Sequence, residues 1–220
     1  MKNLFALPAL VMLIGASTLP LSAQTDYSQR GATSRLSVGA GGAIGVGIPI
    51  GTLDSNLEAA PGFAYRVGLN VTYPIARTVG VHFNTGIDSR GFGKKVGSED
   101  SPRGYRATYF FVEPGITVSA FRLSLNVGIP MSYTQPVVGG QPGETEEGNK
   151  ENLATLIEPR AGATLVLVDS KESWLGLTFD FGFPLGELQK AGVLLEGDIP
   201  STRPLSIHLG MTYQFAVPGT

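Results

Sequence analysis

The sequence predicts an all-β protein, an eight-stranded antiparallel up-and-down transmembrane β-barrel, and three observations carry the prediction. From Phe63 to Tyr73 every second residue is apolar (Phe63, Tyr65, Val67, Leu69, Val71, Tyr73), with Ala64, Arg66, Gly68, Asn70 and Thr72 between them. The same period of two returns in Phe121 to Tyr133 and in Leu205 to Phe215 and marks strands with one apolar and one polar face. The connections then alternate between tight links (74–78, 119–120, 169–173) and long polar stretches rich in Gly and Pro (51–62, 91–105, 134–156, 186–204). Short turns at one end and long loops at the other are the pattern of outer-membrane barrels, and it predicts that both termini lie in the periplasm.

The first strand is expected over Arg35 to Ile50, with Leu36, Val38, Ala40, Ile44, Val46 and Ile48 on one face and Gly39, Gly41, Gly45 and Gly47 on the other. The second is Phe63 to Tyr73. In the third, Val79 to Arg90, Val79, Val81, Phe83 and Ile87 point outward and His82, Asn84, Asp88 and Arg90 inward. The fourth, Arg106 to Val118, sets Phe110, Val112, Pro114, Ile116 and Val118 against Glu113 and Thr117. The fifth, Phe121 to Tyr133, encloses Arg122, Ser124 and Asn126; the sixth, Ile157 to Val168, encloses Glu158, Arg160 and Thr164. The seventh, Trp174 to Leu185, turns Leu175, Leu177, Phe179, Phe181 and Phe183 outward and Thr178 and Asp180 inward. The eighth, Leu205 to Phe215, encloses Ser206, His208, Thr212 and Gln214. Tyr73, Phe121, Tyr213 and Phe215 form an expected lower aromatic belt, and Phe63, Tyr65, Tyr133 and Phe183 an upper one.

The ten charged side chains of these segments, Arg35, Arg66, Asp88, Arg90, Arg106, Glu113, Arg122, Glu158, Arg160 and Asp180, are assigned to the interior. A charge facing the bilayer midplane costs about 2–4 kcal/mol, so lipid on the outside is the simplest cause of that segregation. An eight-stranded barrel is just wide enough to be filled by its own side chains. Buried charges must then pair, and the expected structural network joins Glu113 and Glu158 to Arg66, Arg106, Arg122 and Arg160, with Asp180 beside them.

The whole chain is consistent with this. It has 220 residues, 42% apolar and 15% charged, with 30 glycines and a net charge of -2, which supports one folded domain and gives no nucleic-acid footprint. Beyond residue 24 no run approaches the roughly 20 apolar residues of a spanning helix. Residues 1–23 read as a secretory signal, with Lys2, an apolar Leu4 to Ile14 and cleavage after Ala23. Residues 24–34 are then a periplasmic tail, 35–215 the barrel and 216–220 a C-terminal tail. The chain has no cysteine, hence neither a disulfide nor a lipoprotein anchor. Val112-Glu113-Pro114 recurs as Ile157-Glu158-Pro159, and Gly47-Ile48-Pro49-Ile50, Gly128-Ile129-Pro130-Met131 and Gly182-Phe183-Pro184-Leu185 close three strands alike. These echoes suggest repeated hairpins. Pro114 and Pro159 fall mid-strand, where a bulge or a missing ladder bond is expected.

The Glu-Pro strand (Phe111 to Ile116), the Ala23-Gln24 junction and the closing Tyr213-Gln214-Phe215 resemble small outer-membrane β-barrel proteins of the OmpA and OmpX type, most of all the PorT-like outer-membrane β-barrel family. The resemblance covers nearly all of the chain after residue 34, through loose motifs. It implies contact with outer-membrane lipid and lipopolysaccharide, insertion by the barrel-assembly machinery with Phe215 as the terminal signal, and an accessory role in protein secretion or assembly. Ala216 to Thr220 extend past that signal.

Other chemistry is weakly encoded. Gly39-Ala40-Gly41-Gly42-Ala43 lacks the third glycine of a dinucleotide fingerprint, and Gly47-Ile48-Pro49 stands where a helix should open. Ser206 and His208 share an interior face, and small barrels include lipid A-modifying enzymes that pair His with Ser; the order here is the reverse of the His-x-Ser of the deacylases. Gly143 to Glu147, considered for a divalent cation, and Lys94, Lys95 and Arg103, considered for lipopolysaccharide phosphates, have no ligand spacing and read as solvated loops. No catalytic residue, metal ligand or cofactor is expected. The resulting expectation is a non-enzymatic barrel with a structural or surface-interaction role carried by its loops.

Overall fold

A computed structural model describes residues 31–50, 57–96, 103–137, 144–188 and 203–219. The expected signal and most of the expected N-terminal tail fall outside the described residues. Nine strands form: β1 (Ser37–Ile50), β2 (Leu57–Ala76), β3 (Val79–Val96), β4 (Arg103–Val118), β5 (Phe121–Pro136), β6 (Thr145–Gly148), β7 (Leu156–Asp169), β8 (Ser173–Gly182) and β9 (Arg203–Ala216). Every pairing is antiparallel, and β1 meets both β2 and β9 while β5 meets both β4 and β7. All but β6 therefore close into a ring of eight, and closure satisfies the backbone groups that an open edge would leave bare in lipid.

The register fixes the shape. Following paired residues once around the wall from Ser37, through Thr72, His82, Gly115, Ser124, Arg160, Gly182 and Ser206, leads back to β1 at Gly47, ten residues further on. That stagger tilts the strands by roughly 35–45° from the barrel axis. A ten-residue strand such as β8 then rises roughly 25 Å, the height of an outer-membrane apolar band.

Twenty-nine large apolar side chains stand exposed among the described residues, among them Leu69 (62%), Ile75 (62%), Ile44 (63%) and Phe215 (58%). No water-soluble surface tolerates so continuous an apolar band, and a soluble barrel would bury it. Lipid covers it. The fold is an eight-stranded antiparallel transmembrane β-barrel.

The structure departs from the sequence expectation in several places. β2, β3 and β4 run further into the expected loops, to Leu57, Val96 and Arg103, because the backbone ladder continues past the last clear alternation. β6, not expected at all, pairs with the last four residues of β5 and extends that hairpin beyond the ring. The register of β4 and β5 shifts between Thr108 and Tyr109. Below this point Leu125 and Ile129 are exposed; above it Tyr133 and Gln135 are buried. The inserted residue reverses the phase of β5, so Tyr133 leaves the expected upper belt and packs inside. Neither mid-strand proline produces a register shift, although the β4–β5 pairing is interrupted at Glu113 and Pro114.

At the end of the barrel that carries the tight turns, Ala32–Ser34 form a short 3-10 turn just before β1. Thr33 donates its backbone N–H (3.3 Å) and its hydroxyl (2.6 Å) to Asp169, and the Ser37 hydroxyl donates to the Ala32 carbonyl at 2.8 Å. Ala32 and Thr33 are buried. The described end of the expected N-terminal tail, residues 31–34, thus forms a floor across the barrel mouth. Arg35 lies between this turn and β1 rather than within the strand.

Candidate functional site

The inward faces of the strands build three layers. Nearest the loops, Phe92, Tyr105, Ala107, Tyr109, Tyr133, Leu153, Leu156 and Leu188 form one buried apolar cluster, with the Phe92 and Tyr105 rings stacked at 5.5 Å. Leu153 and Leu188 come from the connections that follow β6 and β8, so the loops fold inward and stopper the mouth. Their contribution has a structural anchor in the Ala154 N–H, which donates to the Leu188 carbonyl at 2.8 Å.

Beneath the stopper lies the charge layer. Arg90 grips Glu158 with both terminal nitrogens (2.7 and 2.6 Å) and Asp88 with Nη2 and Nε (2.7 and 3.2 Å). Arg160 donates to Glu158 at 2.9 Å and lies 3.6 Å from Glu113. Arg66 pairs with Glu113, donates to Asn126 at 3.2 Å and places its guanidinium 3.6 Å from the centre of the Phe111 ring. Arg122 bridges Glu113 (3.6 Å) and Asp180 (3.5 Å). Asn84 and Ser124 donate to Glu113, and Asn126 and Ser206 to Glu158, at oxygens that the arginines also share. Four guanidinium groups thus face four carboxylates, and the layer is neutral as a whole. Low dielectric strengthens each bond and makes each missing one costly.

The two copies of the Glu-Pro motif supply the two most shared carboxylates. Glu113 on β4 and Glu158 on β7 are both fully buried and both ion-paired with Arg160. Glycines leave the space they need. A Cβ on Gly182 would collide with the Glu158 carboxylate, and one on Gly162 with that of Asp180.

The structure thus brings Arg66, Glu113, Arg122, Glu158, Arg160 and Asp180 into one cluster. It does not bring Arg106 there. Its guanidinium lies 6.0 Å from the ring of the outward Tyr65, and Nη1 donates to Ser89 at 3.2 Å. Arg106 shares the even phase of Phe110, so alternation assigns it outside and only its charge suggested the interior; near a strand end the wall reaches a polar region where a cation is tolerated. Arg90 and Asp88 are the members that the expected network omitted. Their signal was present in the sequence, as two opposite charges spaced two apart on the inward phase of β3.

The lowest layer is polar. His82 Nδ1 meets the Thr117 hydroxyl at 3.2 Å, the Asn70 amide meets Thr212 at 2.8 Å, and a cavity of about 40 Å³ opens among Thr33, His82, Trp174 and Gln214. A second, of about 50 Å³, lies between Arg66, Asn70, Arg122 and Asp180. Each holds about a water or two rather than a substrate. The Trp174 indole N–H, His82 Nε2 and the Gln214 amide oxygen reach no protein partner, which is the donor and acceptor set that internal water would satisfy.

Ser206 and His208 do not form a nucleophile and base. The Ser206 hydroxyl donates to Glu158 at 3.1 Å, and His208 Nδ1 accepts from Arg160 at 3.1 Å. The histidine nitrogen nearest the charge layer is thereby occupied as an acceptor, and the serine proton is directed to a carboxylate that two arginines already hold. Of the Gly143 to Glu147 segment considered for a cation, Gly143 lies outside the described residues, Thr145, Glu146 and Glu147 belong to β6, and Glu146 accepts from Gln135 at 3.1 Å. Among the described residues no group of three or more His, Asp or Glu side chains is arranged to hold a metal ion.

No family model and no curated protein matches the sequence, so the PorT-like resemblance rests on the residues quoted for it. The chain is similar to solved structures of small barrels. Ail, the attachment invasion locus protein of Yersinia pestis, crystallised with the heparin analogue sucrose octasulfate, is 13% identical with a TM-score of 0.41, over 82% of this chain and 99% of that one. The outer membrane protein OprG of Pseudomonas aeruginosa is 13% identical with a TM-score of 0.37, over 83% and 96%. The outer membrane protein AlkL, solved in lipid bilayers, is 13% identical with a TM-score of 0.37, over 84% and 92%.

Proposed function

We propose that this chain is a non-enzymatic outer-membrane barrel of a Gram-negative bacterium, with a structural or surface-interaction role exercised through its long loops. The observation that carries this reading is the filled interior: an apolar stopper over a neutral charge layer, with cavities of about 50 and 40 Å³ between its side chains. A barrel packed in this way has little room for transport, and its buried Ser206 and His208 are engaged with Glu158 and Arg160 respectively. What remains available to a partner is the surface outside the ring, where β6 extends the β5 hairpin with exposed Thr145, Glu146 and Glu147.

The lipid-facing band supports membrane residence, and the alternation of short and long connections supports an orientation with the loops outside and both termini in the periplasm. In this reading the charge layer is structural. Protease added to intact cells is expected to cut within the long connections and leave the turn end untouched; cleavage only after the cells are broken would reverse the orientation. In the membrane fraction the unheated protein is expected to migrate faster on a gel than the boiled protein, and identical migration would count against a lipid-embedded barrel.

A further inference from the structure

We propose that the outer wall carries a binding site for the phosphate of an outer-leaflet glycolipid, built on Arg106. The inference rests on the membrane reading above and goes beyond it by assigning a ligand and residues. It begins from the phase of β4, which turns Arg106 and Thr108 outward while Tyr105, Ala107 and Tyr109 are buried inside.

Pairing across the wall sets Tyr65 beside Ser89, Ser89 beside Thr108, Thr108 beside Ser132 and Arg106 beside Thr134. The β4–β5 bulge is what brings Ser132 and Thr134 to the outer face. Four hydroxyl-bearing residues and a tyrosine ring thus surround one guanidinium on a wall that is otherwise apolar. Toward the turns the same wall becomes Phe110, Ile129 and Met131, all exposed, so the patch sits at the upper rim of the apolar band.

The patch is organised. Ser89 is fully buried beneath its neighbours, and its hydroxyl oxygen accepts from both Arg106 Nη1 and the Thr108 hydroxyl at 3.2 Å. Tyr65 flanks the cation at 6.0 Å. Among the described residues no carboxylate lies within ion-pair distance of Arg106, whereas the four interior arginines that carry the charge layer all have one. The interior layer balances itself, so none of its carboxylates is left over for Arg106.

A guanidinium presents five N–H donors in a fork that matches phosphate oxygens, and among the described residues one of them is directed to a neutral acceptor, Ser89. At the rim of the bilayer the anion that can reach it is a lipid headgroup, with acyl chains lying along Phe110, Ile129 and Met131. The phosphate oxygens would be bonded by the outward edge of Arg106, with Thr134 as a neutral donor beside it, while the Thr108 hydroxyl donates to Ser89.

The test uses the full chain in nonionic detergent and native mass spectrometry, titrated with lipid A bearing its phosphates and with lipid A from which they have been removed. The expected result is one retained molecule of phosphorylated lipid A and at least about tenfold weaker retention of the dephosphorylated form. Arg106→Gln is expected to weaken retention about tenfold, and Thr134→Val, which leaves the charge in place, about threefold. Arg203→Gln removes an exposed charge near the loop end of β9 and is expected to leave retention unchanged. Equal retention of the two lipids, indifference to Arg106→Gln, or an equal loss with Arg203→Gln overturns the site. A heat-dependent gel shift in each variant shows that the barrel itself is intact. Loss of that shift from the wild-type chain would contradict the membrane reading instead.

Discussion

Glu158 accepts from Arg90, Arg160, Asn126 and Ser206, so both of its oxygens are held inside the barrel. Glu158→Gln preserves shape but leaves Arg90 without its two-pronged partner in a buried layer. The expected cost is about 3–5 kcal/mol, measured by urea unfolding in lipid vesicles; a loss below about 1 kcal/mol would mean that water reaches the layer and replaces the carboxylate. Ser119 offers a contrast at the turn end, where it is only partly buried. It occupies the two-residue turn between β4 and β5 with φ 55°, the left-handed region that costs a side-chain-bearing residue about 1–2 kcal/mol. Ser119→Gly is expected to stabilise the barrel by about 0.5–1 kcal/mol, and a destabilised variant would show that the Ser119 N–H bond to the Thr78 carbonyl (2.7 Å) depends on more than backbone conformation.

At the scale of an element, glycine sets how closely the strands and the charge layer can approach. On β8, Gly182 faces Glu158 and Ser206 at a distance that leaves no room for a methyl group. Gly182→Ala is expected to displace the Glu158 carboxylate and lower stability by about 1–3 kcal/mol, read in the same unfolding assay; an unchanged midpoint would place the flexibility in Glu158 rather than in the strand. The elements also mark the limits of what the sequence discloses. Alternation is legible wherever one face meets lipid, and it located all eight ring strands because the solvent on each side is different. It fails where that contrast fades. Past Gly91 and before Tyr105 the strands rise above the apolar band, so β3 and β4 continue without a periodic signature. A bulge inverts the pattern without changing composition, so Tyr133 has the look of an outward aromatic and packs inside. Arg106 was misassigned by its charge although its phase with Phe110 was correct. The pairing partners within the charge layer were not readable, because Arg90 and Glu158 lie 68 residues apart and are joined only by closure of the ring.

The whole molecule combines a lipid-facing apolar wall with an interior that balances its own charge. Closure of eight strands with a ten-residue stagger brings β3, β4, β7 and β8 close enough for their inward groups to meet across the barrel, and the stopper and the Ala32–Ser34 floor close its two ends. Reconstituted in a planar bilayer, the chain is therefore expected to show no steady conductance, and regular open steps would contradict a packed interior. The most direct test of the lipid-outside, charge-inside arrangement uses the absence of native cysteine. Single cysteines placed in turn from Tyr65 to Tyr73 on β2, labelled with a fluorophore in lipid vesicles, should be quenched by brominated acyl chains at 65, 67, 69, 71 and 73 and spared at 66, 68, 70 and 72. Quenching with the opposite phase, or without alternation, would contradict it.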